Sequence, residues 1–172
     1  FTAAAHKLGF KVMLDVVANH TSDRHPILQA ALANPDSPLR EWYVFNPGNV
    51  DRPFEYAFDF ATLPSINYGN PLVRRMELDF LEFWMEHGVD SIRCDIATFV
   101  PPSFWRAARR KVIGRQPGGA LLAEMIPPSV GFFDEQFDLA YDSYLYWNFK
   151  DIFAKSGGLD GFNKALTDAE HF

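Results

Sequence analysis

The feature that most constrains this chain is a repeated alternation. Four short runs rich in β-branched and aliphatic residues, at 11–17, 89–95, 120–124 and 137–141, are separated by segments with helical periodicity. Each run has the length of a buried strand. Strands that alternate with helices argue for parallel βα units, and in such units the loops at the carboxyl ends of the strands carry the function. A closed βα barrel takes about 250 residues. With 172 residues and four strands, this chain supplies roughly half of one.

The helical segments have recognisable ends. The clearest begins at Asn70-Pro71, where Asn suits the N-cap and Pro the first helical position, and it stops at Gly88. Spacing places Val73, Met76, Phe80, Phe83 and Trp84 on its apolar face. A second helix is expected from Pro101-Pro102-Ser103 through Val112, followed by a Gly/Pro turn over 114–119. A short helix is expected between the third and fourth strands. Two more helical segments follow at 144–155 and 160–169, with Gly157-Gly158 as the break between them.

The stretch 21–68 is too long for an ordinary βα connection. It carries six prolines together with Trp42, Tyr43, Phe45, Phe54, Tyr56, Phe58 and Phe60, and this aromatic content argues for order. It reads as a loop subdomain inserted within a single barrel domain spanning 1–172, capping a site and offering aromatic platforms for a ligand.

Two strand ends carry the chemistry. The second run ends Ser91-Ile92-Arg93-Cys94-Asp95 and the third Leu121-Leu122-Ala123-Glu124, each an acid after an apolar run. Period-two alternation puts Arg93 and Asp95 on one side of their strand and turns Cys94 to the other, as an inert buried thiol. A cation beside Asp95 favours its ionised form. Neighbouring strands lie about 4.8 Å apart, so acids at one level suit the roughly 5 to 5.5 Å spacing of a retaining glycosidase pair. Asp95 then suits the nucleophile, and Glu124, flanked by Ala123, Met125 and Ile126, the proton donor. Asp15 reads as a buried, hydrogen-bonded structural acid. Taken singly, an acid at a strand end is more often a cap or an ion-pair partner, so the weight lies on the combination.

That combination resembles the α-amylase family of glycoside hydrolases, retaining enzymes on a TIM barrel. Three ordered motifs carry the resemblance: Asp15-Val16-Val17-Ala18-Asn19-His20, Ser91-Ile92-Arg93-Cys94-Asp95 and Leu122-Ala123-Glu124, similar to the ends of the family's third, fourth and fifth strands. Leu63-Pro64-Ser65-Ile66-Asn67 resembles a further family motif near the end of the inserted subdomain, with Ser65 where the family has Asp. The resemblance implies an α/β fold, a partial (β/α)8 barrel of about strands three to six with a loop-rich insertion after the third. It implies Asp95 as nucleophile, Glu124 as general acid/base, Arg93 as the partner of the nucleophile and His20 as a sugar-binding residue. Asn19 matches a position that ligates structural calcium in many members, and Asn is equally suited to a turn. The family's Lys and His three and four residues after the nucleophile are replaced here by Thr98 and Phe99. Its seventh-strand His-Asp motif would lie beyond Phe172.

The implied activity is cleavage of α-glucosidic bonds in starch-like glucans or oligosaccharides by retaining double displacement. The alternatives are transglycosylation by the same chemistry, a non-catalytic barrel scaffold, and a barrel enzyme using Asp95 and Glu124 as metal ligands. The expected partner is an α-glucan or maltooligosaccharide. Sixteen Lys and Arg against 22 Asp and Glu leave a net charge of −6 without a basic stripe, which argues against nucleic acid. No apolar run reaches the roughly 18 residues of a membrane span. One cysteine, Cys94, leaves the compartment undecided. A start at Phe1 and an end inside a helical pattern suggest a fragment of a longer protein.

Overall fold

A computed structural model describes residues 1–124, 131, 133–155 and 159–169. Four parallel strands, β1 (Met13–Val16), β2 (Ser91–Cys94), β3 (Leu121–Ala123) and β4 (Leu139–Ala140), form one sheet in the order β1-β2-β3-β4. Each falls inside its expected run and is shorter than it. The helices are α1 (Thr2–Lys7), α2 (Pro26–Ala33), α3 (Pro71–Glu86), α4 (Pro102–Arg115), α5 (Ser143–Lys155) and α6 (Asp160–Ala169). The short helix expected before β4 falls mostly, and the Gly157-Gly158 break entirely, outside the described residues.

Alternation along the strands decides which face is dry. Val16, Ile92, Cys94, Leu121 and Ala123 are buried on one face, the helix side, with Phe104, Trp105, Ala108 and Val112 of α4. Burial pushes the Cys94 thiol well above its ordinary range, against a smaller opposing effect of Arg93. Arg93 and Leu122 face the other way and are only partly buried.

Helix α3 starts where the sequence predicts: the Asn70 side chain accepts from the Leu72 amide at 2.9 Å, and Pro71 follows. It ends at His87, and Gly88 turns the chain with φ of 87°. Its buried stripe differs from the expected one. Val73, Glu77, Leu81 and Met85 are buried, each four residues after the last, whereas Phe80 and Phe83 are exposed and Met76 and Trp84 only partly buried. The rotation follows from α4, because Glu82 pairs with Lys111 and Arg115, and Glu86 with Arg115 at 3.3 Å. Those pairs lower the Glu82 pKa to about 2, and the Val73 stripe faces the core with α4.

At the amino end of the sheet, buried Asp90 gathers four donors. They are His6 Nε2 at 2.8 Å, Lys11 Nζ at 3.1 Å, the Val12 amide at 2.8 Å and Gln116 Nε2 at 2.9 Å. Burial disfavours its charge, but these bonds outweigh that and hold the carboxyl below the usual range. Gly119 is required beside it: a Cβ there would lie 2.4 Å from the Asp90 carbonyl oxygen.

Residues 21–68 contain α2, a 3-10 turn at Pro38–Trp42, and a ladder of isolated antiparallel bridges: His20 with Ser65, Tyr43 with Ile66, Phe45 with Phe54, Tyr56 with Pro64. Phe54 packs edge-to-face between Phe45 and Tyr56, and the Arg40 guanidinium lies 3.8 Å over Phe45. Phe45, Phe54 and Tyr56 therefore pack on one another, and Phe58 and Phe60 are the two left exposed among the aromatics named above.

Candidate active site

Parallel register aligns the strand ends. Cys94 pairs with Ala123 and Ala123 with Ala140, so Asp95, Glu124 and Tyr141 each stand one step past the paired residues, at one level on three neighbouring strands. The backbone continues the alignment, with Asp95 N donating to Val16 O at 2.9 Å, Glu124 N to Cys94 O at 3.0 Å and Tyr141 N to Ala123 O at 3.1 Å. Asp15 is opposite Arg93 in register.

Arg93 is the centre of the group. Its Nη1 donates to Asp15 Oδ1 and to Asp95 Oδ1, each at 2.7 Å, and its Nη2 forms an ion pair with Glu124 Oε2 at 2.7 Å. Burial works against the charge on Arg93. Hydrogen bonds to Asp15, Tyr141 and Asp95, with the field of Glu124, outweigh it and hold the guanidinium charged beyond its ordinary range. Two expectations change here. Arg93 holds both acids rather than Asp95 alone, so Glu124 does not sit in an apolar setting; of its expected flanking residues, Met125 and Ile126 lie outside the described ones. Asp15 is hydrogen-bonded but exposed, because it lies on the uncovered face of the edge strand β1.

The turn after Asp95 is strained. Ile96 has φ of 41°, a left-handed conformation that β-branched residues rarely adopt. The result is a backbone clamp on Glu124: Ile96 N donates to Glu124 Oε2 at 3.2 Å, and Ala97 N to Glu124 O at 2.8 Å. Trp105 Nε1 anchors the turn from below by donating to Ala97 O at 2.8 Å. Nothing in the sequence signals Ile96, since propensity argues against that residue in that conformation. Tyr141, whose ring lies 5.7 Å from the Arg93 guanidinium, is signalled only by its place at a strand end.

Asn19 is buried; its Nδ2 donates to the Asp95 carbonyl oxygen at 3.3 Å, and its Oδ1 is hydrogen-bonded to His20 Nδ1. His20 is half-buried, and burial lowers its pKa against a smaller opposing effect of Asp95. Asn19 and His20 thus reach the site through the Asp95 backbone and field. Of the described residues near the strand end, Asn19 offers one side-chain oxygen, and His20 takes up one of its two lone pairs. Among the described residues no group of three or more His, Cys, Asp or Glu is placed to hold a metal.

Two carboxylates on one arginine thus stand at the carboxyl ends of neighbouring parallel strands, the place where βα folds carry their sites. Residues 1–118 match the family described as alpha amylase, catalytic domain. The chain is 37% identical over 146 residues to the alpha-amylase MalA of Haloarcula japonica, covering 85% of this chain and 21% of that protein. It is 30% identical over 156 residues to the trehalose synthase/amylase TreS of Mycolicibacterium smegmatis, covering 70% of this chain and 26% of that one. Its fold matches the cyclic α-maltosyl-(1→6)-maltose hydrolase of Arthrobacter globiformis with a TM-score of 0.84 at 24% identity, over 96% of this chain and 40% of that one. The chain belongs to the α-amylase family. It spans about a fifth to a quarter of the length of these curated relatives.

Proposed function

We propose that the complete enzyme containing this chain breaks α-glucosidic bonds of starch-like glucans or maltooligosaccharides by a retaining double displacement. The observation that carries this reading is the single guanidinium of Arg93 shared by Asp95 and Glu124 at 2.7 Å each. Such sharing suits the roughly 5 to 5.5 Å spacing of a retaining pair. It also argues against the metal-ligand alternative, since a protein cation already stands between the two acids.

In this mechanism Asp95 attacks the anomeric carbon as Glu124 protonates the departing glycosidic oxygen, leaving a glycosyl ester on Asp95. Glu124 then takes a proton from the incoming water or sugar hydroxyl, which displaces the ester. The contacts to Arg93 and Ile96 both fall on Glu124 Oε2, so Oε1 is the oxygen placed to exchange the proton. Arg93 likewise holds Asp95 Oδ1, which leaves Oδ2 to attack. His20 contacts the sugar beside the bond broken, and the segment 21–68 caps the site within one barrel domain.

The test uses Asp95→Asn in the complete enzyme. Turnover of maltooligosaccharides should fall by at least about 10³-fold with the thermal midpoint unchanged, and a fluorinated α-glucosyl fluoride should label the Asp95 peptide of the unsubstituted enzyme in a mass spectrum. Near-normal turnover in Asp95→Asn overturns the assignment.

A further inference from the structure

Three strands bring an acid to the Arg93 guanidinium: Asp15 on β1, Asp95 at the end of β2 and Glu124 at the end of β3. The fourth strand brings Tyr141. Its amide donates to Ala123 O at 3.1 Å, which fixes it at the level of Asp95 and Glu124. Its ring centroid lies 5.7 Å from the guanidinium carbon, and its hydroxyl is one of the groups that keep Arg93 charged. Asp15 and Tyr141 thus hold one cation from opposite margins of the sheet.

The four partners differ in what a double displacement does to them. Asp95 loses its charge when it becomes the glycosyl ester, and Glu124 is uncharged whenever it carries the proton it exchanges. Each change removes one of the attractions that keep the guanidinium in place. Asp15 and Tyr141 take no part in the bond changes, so their hold is constant through the cycle. Asp15 is the looser of the two, because its side chain is 62% exposed on an edge strand and water screens the pair. A tyrosine suits the remaining place. Its ring face attracts a cation and its phenol oxygen accepts a hydrogen bond, and neither sets a further negative charge against the two reacting carboxylates.

We propose that Tyr141 is a positioning residue of the reaction: it keeps the Arg93 guanidinium in place while Asp95 and Glu124 in turn lose their charge, so that both acids meet the second displacement in the geometry of the first. The proposal rests on the retaining α-glucosidic reading above. Tyr141 acts through Arg93, and the bond chemistry stays with the carboxylates.

The experiment is a double-mutant cycle in the complete enzyme, read by steady-state kinetics on maltotetraose. Tyr141→Leu, which removes ring and hydroxyl, should lower kcat about tenfold with KM within about twofold and the thermal midpoint unchanged. Tyr141→Phe, which keeps the ring, should lower it about threefold. In an Arg93→Lys background, where the planar fork that Tyr141 holds is gone, Tyr141→Leu should cost less than about twofold more. Unchanged kcat in both Tyr141 variants overturns the proposal, whatever happens to KM or to the midpoint. A tenfold loss that persists in the Arg93→Lys background overturns it too, since Tyr141 then acts on the sugar directly. The carboxylate assignment is judged separately by Asp95→Asn and stands if the Tyr141 results fail.

Discussion

Arg93 does more than its position suggests. From alternation alone it is legible as the neighbour of Asp95, because residues two apart share a strand face. Its hold on Glu124 and Asp15 depends on the register of β1, β2 and β3, which no local pattern encodes. A guanidinium serves three carboxylates because its donors form a fixed planar fork, which a single ammonium nitrogen does not reproduce. Arg93→Lys should therefore lower kcat/KM of the complete enzyme by roughly 10²-fold or more, through misplacement of the acids. Asp15→Asn should cost less than tenfold, since Asp15 contacts the cation from the exposed side. Kinetics of the two variants on one maltooligosaccharide check the order of these effects. Ile96 marks the limit of reading at this scale: a left-handed isoleucine is what residue preferences forbid, and it exists because Glu124 needs an amide at that point.

The elements show what periodicity settles and what it leaves open. The ends of α3 are legible because Asn70, Pro71 and Gly88 each have a local reason to stand there. Its buried face is not, because the stripe through Phe80 and Phe83 and the stripe through Glu77 and Leu81 both satisfy helical spacing. Packing in a core shared with α4, a tertiary fact that the ion pairs flank, chooses between them. The choice buries Glu77, whose pKa rises to about 7 as burial penalises its charge. The folded state thus binds this proton more tightly than the unfolded chain, whose value is 4.5. The associated stability is complete below pH 4.5 and is lost as pH rises through about 7. Glu77→Gln should flatten this dependence and raise stability at pH 8 by roughly 1–3 kcal/mol. Thermal midpoints of both forms between pH 4.5 and 8.5 check it, and parallel curves refute it.

For the molecule as a whole, the fold class was legible because strand and helix periods alternate without ambiguity, whereas the placement of the sheet's faces depends on partners far along the chain. The sheet ends at β1 and β4, and both margins carry exposed apolar residues: Leu8, Phe10 and Met13 on one side, Leu139, Tyr146 and Phe153 on the other. Unpaired strand edges beside apolar surface favour association. The 172-residue chain expressed alone should be poorly soluble and inactive, and measurable glucan hydrolysis by the purified monomer would contradict this. The described sheet also has opposite polarity at its two ends, an acid ringed by donors at Asp90 and a base ringed by acids at Arg93. Because no hydrogen bond or ion pair described here links one cluster to the other, random variants should sort into two populations, those lost from expression and those that accumulate but do nothing. A lineage built this way explores new substrates at one end while the other keeps it alive as a protein.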